Sequence, residues 1–302
     1  MNKQTLAILA ALGATTIYGL THTIAKGAMP TYIKPSGFIM LRVIGAATLF
    51  WGISFFGPKE KIDRKDWGRV LICAILGMVI NMLAFFKGLQ LSTPINSAVL
   101  VTITPIIVVL LSAILVKEKI RAQKIMGIAI GLIGALALIL FGAEIRQDAP
   151  NIPLGNALFV LNASSYGAYL ILVKILVEKY HPFTLMKWLF TFGVIINFPF
   201  TIGEFLEVEW ASLPLPIIGA MVFVVIGTTC MTYLLNVYAL TQLKASSLSV
   251  FVYLQPLIGI LFALFSGKDQ LTNIKVIATA LVLLGVYLAN KKYTSKSLRK
   301  ES

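Results

Sequence analysis

Residues 6–25 read LAILAALGATTIYGLTHTIA, twenty positions without a charged side chain, closed by Lys26. A helix needs roughly 20 such residues to cross the hydrocarbon core of a bilayer, so this stretch is long enough to span one. It is preceded by only one base, Lys3, and followed by nine more apolar runs, which reads as a retained spanning helix rather than a cleaved signal. Outward from that run the chain keeps the same character: 58% of its 302 residues are hydrophobic and 13% are charged, with a mean hydropathy of +0.88. That is more apolar residue than a soluble core of this size can bury. The solvent is lipid, and no soluble domain fits between the runs.

The spacing of the runs predicts helices over 6–26, 36–56, 67–88, 93–116, 123–142, 154–177, 183–203, 213–237, 245–266 and 273–290. Lipid offers backbone groups no partner, so helices are the spanning element, and the alternating strands of a barrel are lacking. The expected fold is an all-α integral membrane protein of about ten transmembrane helices. Cys73 and Cys230 both fall inside apolar runs and read as small buried hydrophobes, without a disulfide framework, metal site or thiol chemistry.

A net charge of +14 invites a nucleic-acid partner until the charges are located. They sit in short links and are unevenly shared between the two sides. Of the 26 Lys and Arg, 19 fall on the side of the N-terminus, in the links around 59–69, 117–124, 174–187 and Lys244 and in the tail from Lys291 to Lys300; 6 fall opposite, and Arg42 lies within a run. Positive loops stay cytoplasmic, so both termini are expected inside a plasma (inner) membrane. The base-free loop with Glu204, Glu207 and Glu209 then lies outside, and the basic tail touches anionic lipid.

The two halves repeat. Moving residues 89–134 forward by 151 pairs Leu89 with Leu240, Pro105 with Pro256, Glu118 with Asp269, Lys124 with Lys275 and Gly134 with Gly285; a shift of 148 pairs Tyr18-Gly19 with Tyr166-Gly167 and Lys26 with Lys174. Five helices are an odd number, so the second copy enters the membrane inverted, the design that places a transporter's site near the midplane between its halves. The expected units are residues 1–146 and 147–290, followed by a basic tail over 291–302.

Polar side chains are costly inside lipid, and those gathered on one helix face line a wet cavity or join helices. In the first helix Thr15, Tyr18, His22 and Lys26 recur every three or four residues. The sixth offers Asn162, Tyr166 and Tyr169; the eighth Thr228, Thr232 and Asn236; the ninth Ser246, Ser249, Tyr253 and Pro256. The third and fourth add Asn81 with Phe85 and Asn96 with Thr104. From these the expected substrate-binding set is Tyr18, His22, Asn81, Asn96, Asn162, Tyr166, Tyr169, Thr232, Asn236 and Tyr253. The competing reading is helix-to-helix hydrogen bonding, about 0.6 kcal/mol each. Three tyrosines, Tyr166, Tyr169 and Tyr253, suit an amphipathic solute that stacks on rings and bonds at its polar end.

His22 carries a proton or is a neutral ring bonded to a carbonyl. Arg42 snorkels to the headgroups or bonds carbonyls, or else anchors an anionic substrate group. Pro105 and Pro256 free carbonyls one turn earlier and shape the cavity through a kink, while Gly127, Gly131 and Gly134 give a face for close helix packing.

Tyr18-Gly19, Lys26, Arg42, Pro105, Lys117-Glu118-Lys119, Pro256 and Asp269 together resemble the drug/metabolite transporter superfamily, specifically its tandem EamA-domain exporters, over residues 5–290. The segment from Tyr238-Ala239-Leu240 through Ala245 to Tyr253-Leu254-Gln255-Pro256 matches best. Many members place an acid just before that proline, where this chain has Gln255, which argues against a carboxylate-coupled proton step there. The resemblance implies export of amino acids and related metabolites; eukaryotic relatives exchange nucleotide sugars or triose phosphates.

The expected function is therefore a secondary transporter, an exporter of a small metabolite such as an amino acid, with alternating access around a central cavity. A nucleotide or sugar-phosphate exchanger of the same fold and a channel are the alternatives. No P-loop, His-Glu-x-x-His or Gly-x-Ser-x-Gly motif is present, so neither an ATP-driven pump nor a membrane enzyme is expected, and no catalytic residue, cofactor or metal. The expected partners are the solute and the bilayer, not nucleic acid, with the oligomeric state left open, a monomer included.

Overall fold

The structure, a computed structural model, describes residues 3–56, 59–116, 122–141, 148–243, 248 and 250–290. Lys117-Glu118-Lys119, Lys244 to Ser247, Ser249 and the tail from Lys291 lie outside the described residues, as do the side chains of Lys124 and Tyr253.

In chain order the helices are α1 (Lys3–Ala28), α2 (Pro35–Ser54), α3 (Arg64–Leu91), and α4, which runs from Pro94–Leu100 through a 3-10 turn, Val101–Ile103, into Thr104–Val116. They continue as α5 (Ala122–Phe141), α6 (Ile152–Val177), α7 (Pro182–Leu206), α8 (Leu215–Gln242), α9 (the 3-10 turn Val250–Tyr253 leading into Leu254–Phe265) and α10 (Asn273–Asn290). Among the described residues no strand occurs. Among the described residues seven helices, α1 to α4 and α6 to α8, are long and apolar enough to cross a membrane, and Leu254–Phe265 and Asn273–Gly285 are shorter apolar helices.

Several starts follow from local chemistry. Proline occupies the first turn of α2, α4, α6 and α7, where its missing N–H has no intrahelical use. The Thr93 hydroxyl accepts from Asn96 N, and the Asn151 side chain from Leu154 N. Glu204 near the end of α7 accepts Ser36 N at 2.7 Å and Gly37 N at 3.4 Å, placing a carboxylate on the positive end of α2.

α8 runs five residues beyond the expected end at 237 because Tyr238-Ala239-Leu240 stays helical, and the Lys174 ammonium caps the Leu240 carbonyl at 2.5 Å. In the first half Lys26 does the same for α3. Its Nζ reaches the carbonyls of Leu89 (2.7 Å), Gln90 (3.2 Å), Ser92 (2.9 Å) and Asp148 (2.6 Å). The stripe containing Lys26 thus ends in a helix cap rather than in an open cavity.

α1 packs on α8 and α9, α6 on α3 and α4, α2 on α7, and α5 on α10. The last pair meets at glycines: a Cβ on Gly285 would stand 2.2 Å from Gly131 N and 2.6 Å from Gly127 O. Small residues let the two backbones touch.

Two kinds of irregularity recur. α3 and α8 each contain a π-helical stretch, Ile75–Ile80 and Phe223–Met231. The wider turn frees carbonyls that neighbours satisfy: Ser165 Oγ donates to Leu76 O (2.6 Å), Tyr233 Oη to Gly77 O (2.7 Å) and Asn197 Nδ2 to Met78 O (3.1 Å). Inside lipid no water would do so. α4 and α9 each tighten into a 3-10 turn just before Pro105 and Pro256. Pro105 cannot bond Val101 O, and Thr104 Oγ1 donates to that carbonyl at 2.7 Å instead.

Candidate functional site

A central cavity of about 60 Å³ lies among α1, α2, α3, α4, α6, α8 and α9. Tyr18, Thr21 and His22 reach it from α1, and Arg42 from α2; Asn81 and Phe85 come from α3, Val101 and Thr104 from α4. The other half supplies Asn162 and Tyr166 from α6, Thr228 and Tyr233 from α8, and Val252 and Gln255 from α9. A water needs about 10–15 Å³ of such space, so the cavity has room for a few waters, and its walls must part to admit an organic solute.

Of the ten residues expected to bind substrate, five line this cavity: Tyr18, His22, Asn81, Asn162 and Tyr166. Asn236 and Thr15 line an adjoining space of about 10 Å³, on the other side of the Tyr18–Tyr166 pair. The two tyrosine rings meet edge to face with centroids 6.4 Å apart, and Asn236 Nδ2 donates to Tyr166 Oη at 2.8 Å. This pair and its amide form the partition between the two spaces.

Asn81 and Asn162 bridge α3 and α6 reciprocally: each side-chain Nδ2 donates to the other's backbone carbonyl, at 3.3 and 2.9 Å. Their amide oxygens are left to other donors. The His22 ring bonds the Ser97 hydroxyl through Nδ1, and its Nε2 has no partner among the described residues.

Asn96, Tyr169 and Thr232 do not line the cavity. Asn96 is fully buried at the junction of α3, α4 and α6, donating to Asn156 Oδ1 (3.2 Å) and Ser92 Oγ (3.4 Å). Tyr169 stacks behind Tyr166 with centroids 5.8 Å apart, its hydroxyl without a partner among the described residues. Thr232 turns back to the Thr228 carbonyl. The side chain of Tyr253 lies outside the described residues.

Thr21, Val101, Tyr233, Val252 and Gln255 are the lining residues that regular helical spacing missed. Counting every fourth residue from Thr228 leads to Thr232, but the π-helical stretch widens the turn, so the fifth residue, Tyr233, comes to the same face. Thr21 lies next to His22 and was passed over by the stripe; its hydroxyl meets that of Thr228 at 2.6 Å and joins α1 to α8.

Arg42 departs from the snorkelling reading. Its side chain is 4% exposed, Nε donates to Thr229 Oγ1 at 2.7 Å, and the guanidinium lies 4.9 Å from the centroid of the Phe86 ring. Thr229 in turn donates to Val224 O, a carbonyl freed by the π-helical stretch of α8. The charge is directed into the protein, not toward headgroups.

Comparison with known proteins agrees with this architecture. The chain matches the EamA-like transporter family twice, over residues 5–140 and 153–291. It is 29% identical over 277 residues to an uncharacterized transporter of Archaeoglobus fulgidus, covering 92% of this chain and 96% of that one. It is 24% identical to the uncharacterized transporter YyaM of Bacillus subtilis, covering 94% and 95%. A crystal structure with 18% sequence identity shares the fold with a TM-score of 0.64 over 95% of this chain and 97% of its own. With nearly its whole length taken up by those two family matches, the chain belongs to the EamA-like transporter family and is a membrane transporter, not an enzyme.

Proposed function

We propose that the protein is a secondary exporter of a small amphipathic metabolite, such as an amino acid, working by alternating access around the central cavity. In this reading ten helices span the plasma membrane as two inverted five-helix halves, residues 1–146 and 147–290, with both termini cytoplasmic. The observation that carries it is the cavity itself, lined by polar and aromatic groups from equivalent helices of both halves. Two further features support it. Exchanging the halves leaves the packing pattern unchanged: α1 with α8 becomes α6 with α3, α1 with α9 becomes α6 with α4, and α2–α7 and α5–α10 map onto themselves. The π-helical and 3-10 stretches also recur at corresponding places. These turns have fewer well-aligned backbone bonds than a regular helix and suit segments that must rearrange as the halves rock.

The test is solute counterflow in proteoliposomes combined with binding to purified protein. Tyr18→Ala and Tyr166→Ala each remove a ring and a hydroxyl from the wall and are expected to weaken binding by about 1–3 kcal/mol, roughly 5- to 150-fold. Tyr166→Phe keeps the ring, loses the bond from Asn236 and costs about 0.5–1.5 kcal/mol. Tyr169→Phe, which removes a hydroxyl that bonds nothing among the described residues, leaves affinity unchanged. Normal affinity in both alanine variants would make the tyrosine pair a packing seam.

A further inference from the structure

We propose that Arg42 is the anchor for a substrate carboxylate, and that this carboxylate, not an ammonium, is the charge by which the transporter recognises its solute. The proposal rests on the transporter reading above and specifies its substrate class.

Arginine has five N–H donors and cannot shed its charge in a protein. In Arg42 the Nε–H is used by Thr229, and the four Nη hydrogens have no protein acceptor among the described residues, although the residue is 4% exposed and lines the cavity. Phe86 offers a ring face but no negative charge. A buried cation without a counter-ion is strongly unfavourable, more so at membrane depth.

Among the described residues no carboxylate serves as that counter-ion: each lies in a link or near a helix end, and none lines the cavity. Glu204 is held at the first turn of α2, about 9 Å along the axis from Arg42 at 1.5 Å per residue. Asp66 accepts from Lys179 and Tyr180 at the opposite end of α3. The fold itself does not require a cation at this depth. α2 and α7 both begin on a proline, Pro35 and Pro182, and at the depth of Arg42 the second half carries Leu189-Phe190, both fully buried.

The rest of the wall defines the remainder of the solute. Tyr18, Phe85, Tyr166 and Tyr233 present rings, while Asn81, Asn162 and Gln255 are neutral. A carboxylate receives a bidentate, charge-assisted pair from a guanidinium, and an apolar or aromatic body packs on the rings. An ammonium finds no carboxylate in the cavity, so a free amino group is tolerated but not required. A single fixed cation also suits one negative charge better than the multiple charges of a nucleotide.

The experiment compares matched solutes on the purified, full-length protein by ligand-induced thermal stabilisation. The probes are 3-phenylpropionate, phenylalanine, 3-phenylpropanamide and phenethylamine, with 4-methylpentanoate, leucine and leucinamide as the aliphatic set. The acids and the amino acids are expected to raise the melting temperature, and the amides and the amine to bind at least tenfold more weakly. Arg42→Gln should abolish the difference and Arg42→Lys should retain part of it. Equal stabilisation by acid and amide, no stabilisation by any acid at millimolar concentration, or full acid binding in Arg42→Gln would each overturn the assignment. The wild-type comparison decides even if neither variant folds. Counterflow separates the two proposals: acids that bind without being exchanged would sink the transporter mechanism and leave Arg42 as an anion site, whereas exchange of neutral solutes without acid binding would do the reverse.

Discussion

Lys26 shows why a polar residue on a spanning helix cannot be read from its face alone. Its place on the stripe with Tyr18 and His22 suggested the cavity, yet its ammonium reaches four carbonyls at the end of α3 and in the link before α6. A helix C-terminus carries partial negative charge and up to four unbonded carbonyls, and a lysine is long enough to leave its own stripe to reach them. Lys26→Met keeps the apolar stem and strands those acceptors, so a loss of about 1–3 kcal/mol is expected. Thermal unfolding in detergent reads it; an unchanged melting temperature would mean that water satisfies those carbonyls instead. The same distinction sorts the other residues. Tyr18, His22, Asn81, Asn162 and Tyr166 line the cavity, whereas Asn96 and Thr232 satisfy internal acceptors. Burial and stripe position are common to both groups, and only the identity of the partner across the interface, which one sequence does not encode locally, separates them.

Between residue and molecule, the helices were legible where apolar runs are broken by Pro, Gly or charge, as at Gly57-Pro58 and Gly267-Lys268-Asp269. Their internal irregularities were not. The π-helical stretches Ile75–Ile80 and Phe223–Met231 contain no breaker other than Gly77 and Gly227; Ser165, Asn197 and Tyr233 satisfy carbonyls of the first, and Thr229 satisfies Val224 O in the second. Such tertiary support is invisible to spacing, and it is why Tyr233 was missed. The glycines of α5 were legible as a packing face, and the structure supplies their counterpart in α10. A methyl group on Gly285 has nowhere to go, with backbone rather than a flexible side chain in its path. Gly285→Ala is therefore expected to cost about 1–3 kcal/mol. Gly219→Ala, where an added Cβ meets nothing within 4 Å, should be neutral or stabilising by up to about 1 kcal/mol. Denaturation midpoints of the two variants check this, and equal effects would mean that α5 and α10 can separate freely.

For the whole molecule, the pseudo-symmetry proposed for the two halves predicts how links distribute between the two sides of the membrane, and the charge asymmetry predicts which side is which. The link between α2 and α3, together with the first turn of α3, carries Lys59, Lys61, Arg64 and Lys65, while that between α7 and α8 carries Glu207 and Glu209 without a base. In the proposed ten-span arrangement an odd number of spans separates them, which puts them on opposite sides. Glu207 pairs with Lys34 at 2.5 Å, with side-chain exposures of 58% and 53%, and the bond holds the Lys34 ammonium above its ordinary pKa. Lys65 is more exposed still, at 73%. Single cysteines at the two sites, in a background lacking the buried Cys73 and Cys230, are thus reachable by solvent in the folded protein, and only the membrane distinguishes them. Removing either exposed ion pair costs little, so neither substitution should disturb the fold. A membrane-impermeant thiol reagent applied to intact cells is expected to label Glu207→Cys and spare Lys65→Cys, with both labelled after permeabilisation. The reverse pattern would overturn the cytoplasmic assignment of the termini. Labelling of both in intact cells, or of neither, would be incompatible with an odd number of spans between them and hence with the inverted-repeat arrangement on which alternating access depends.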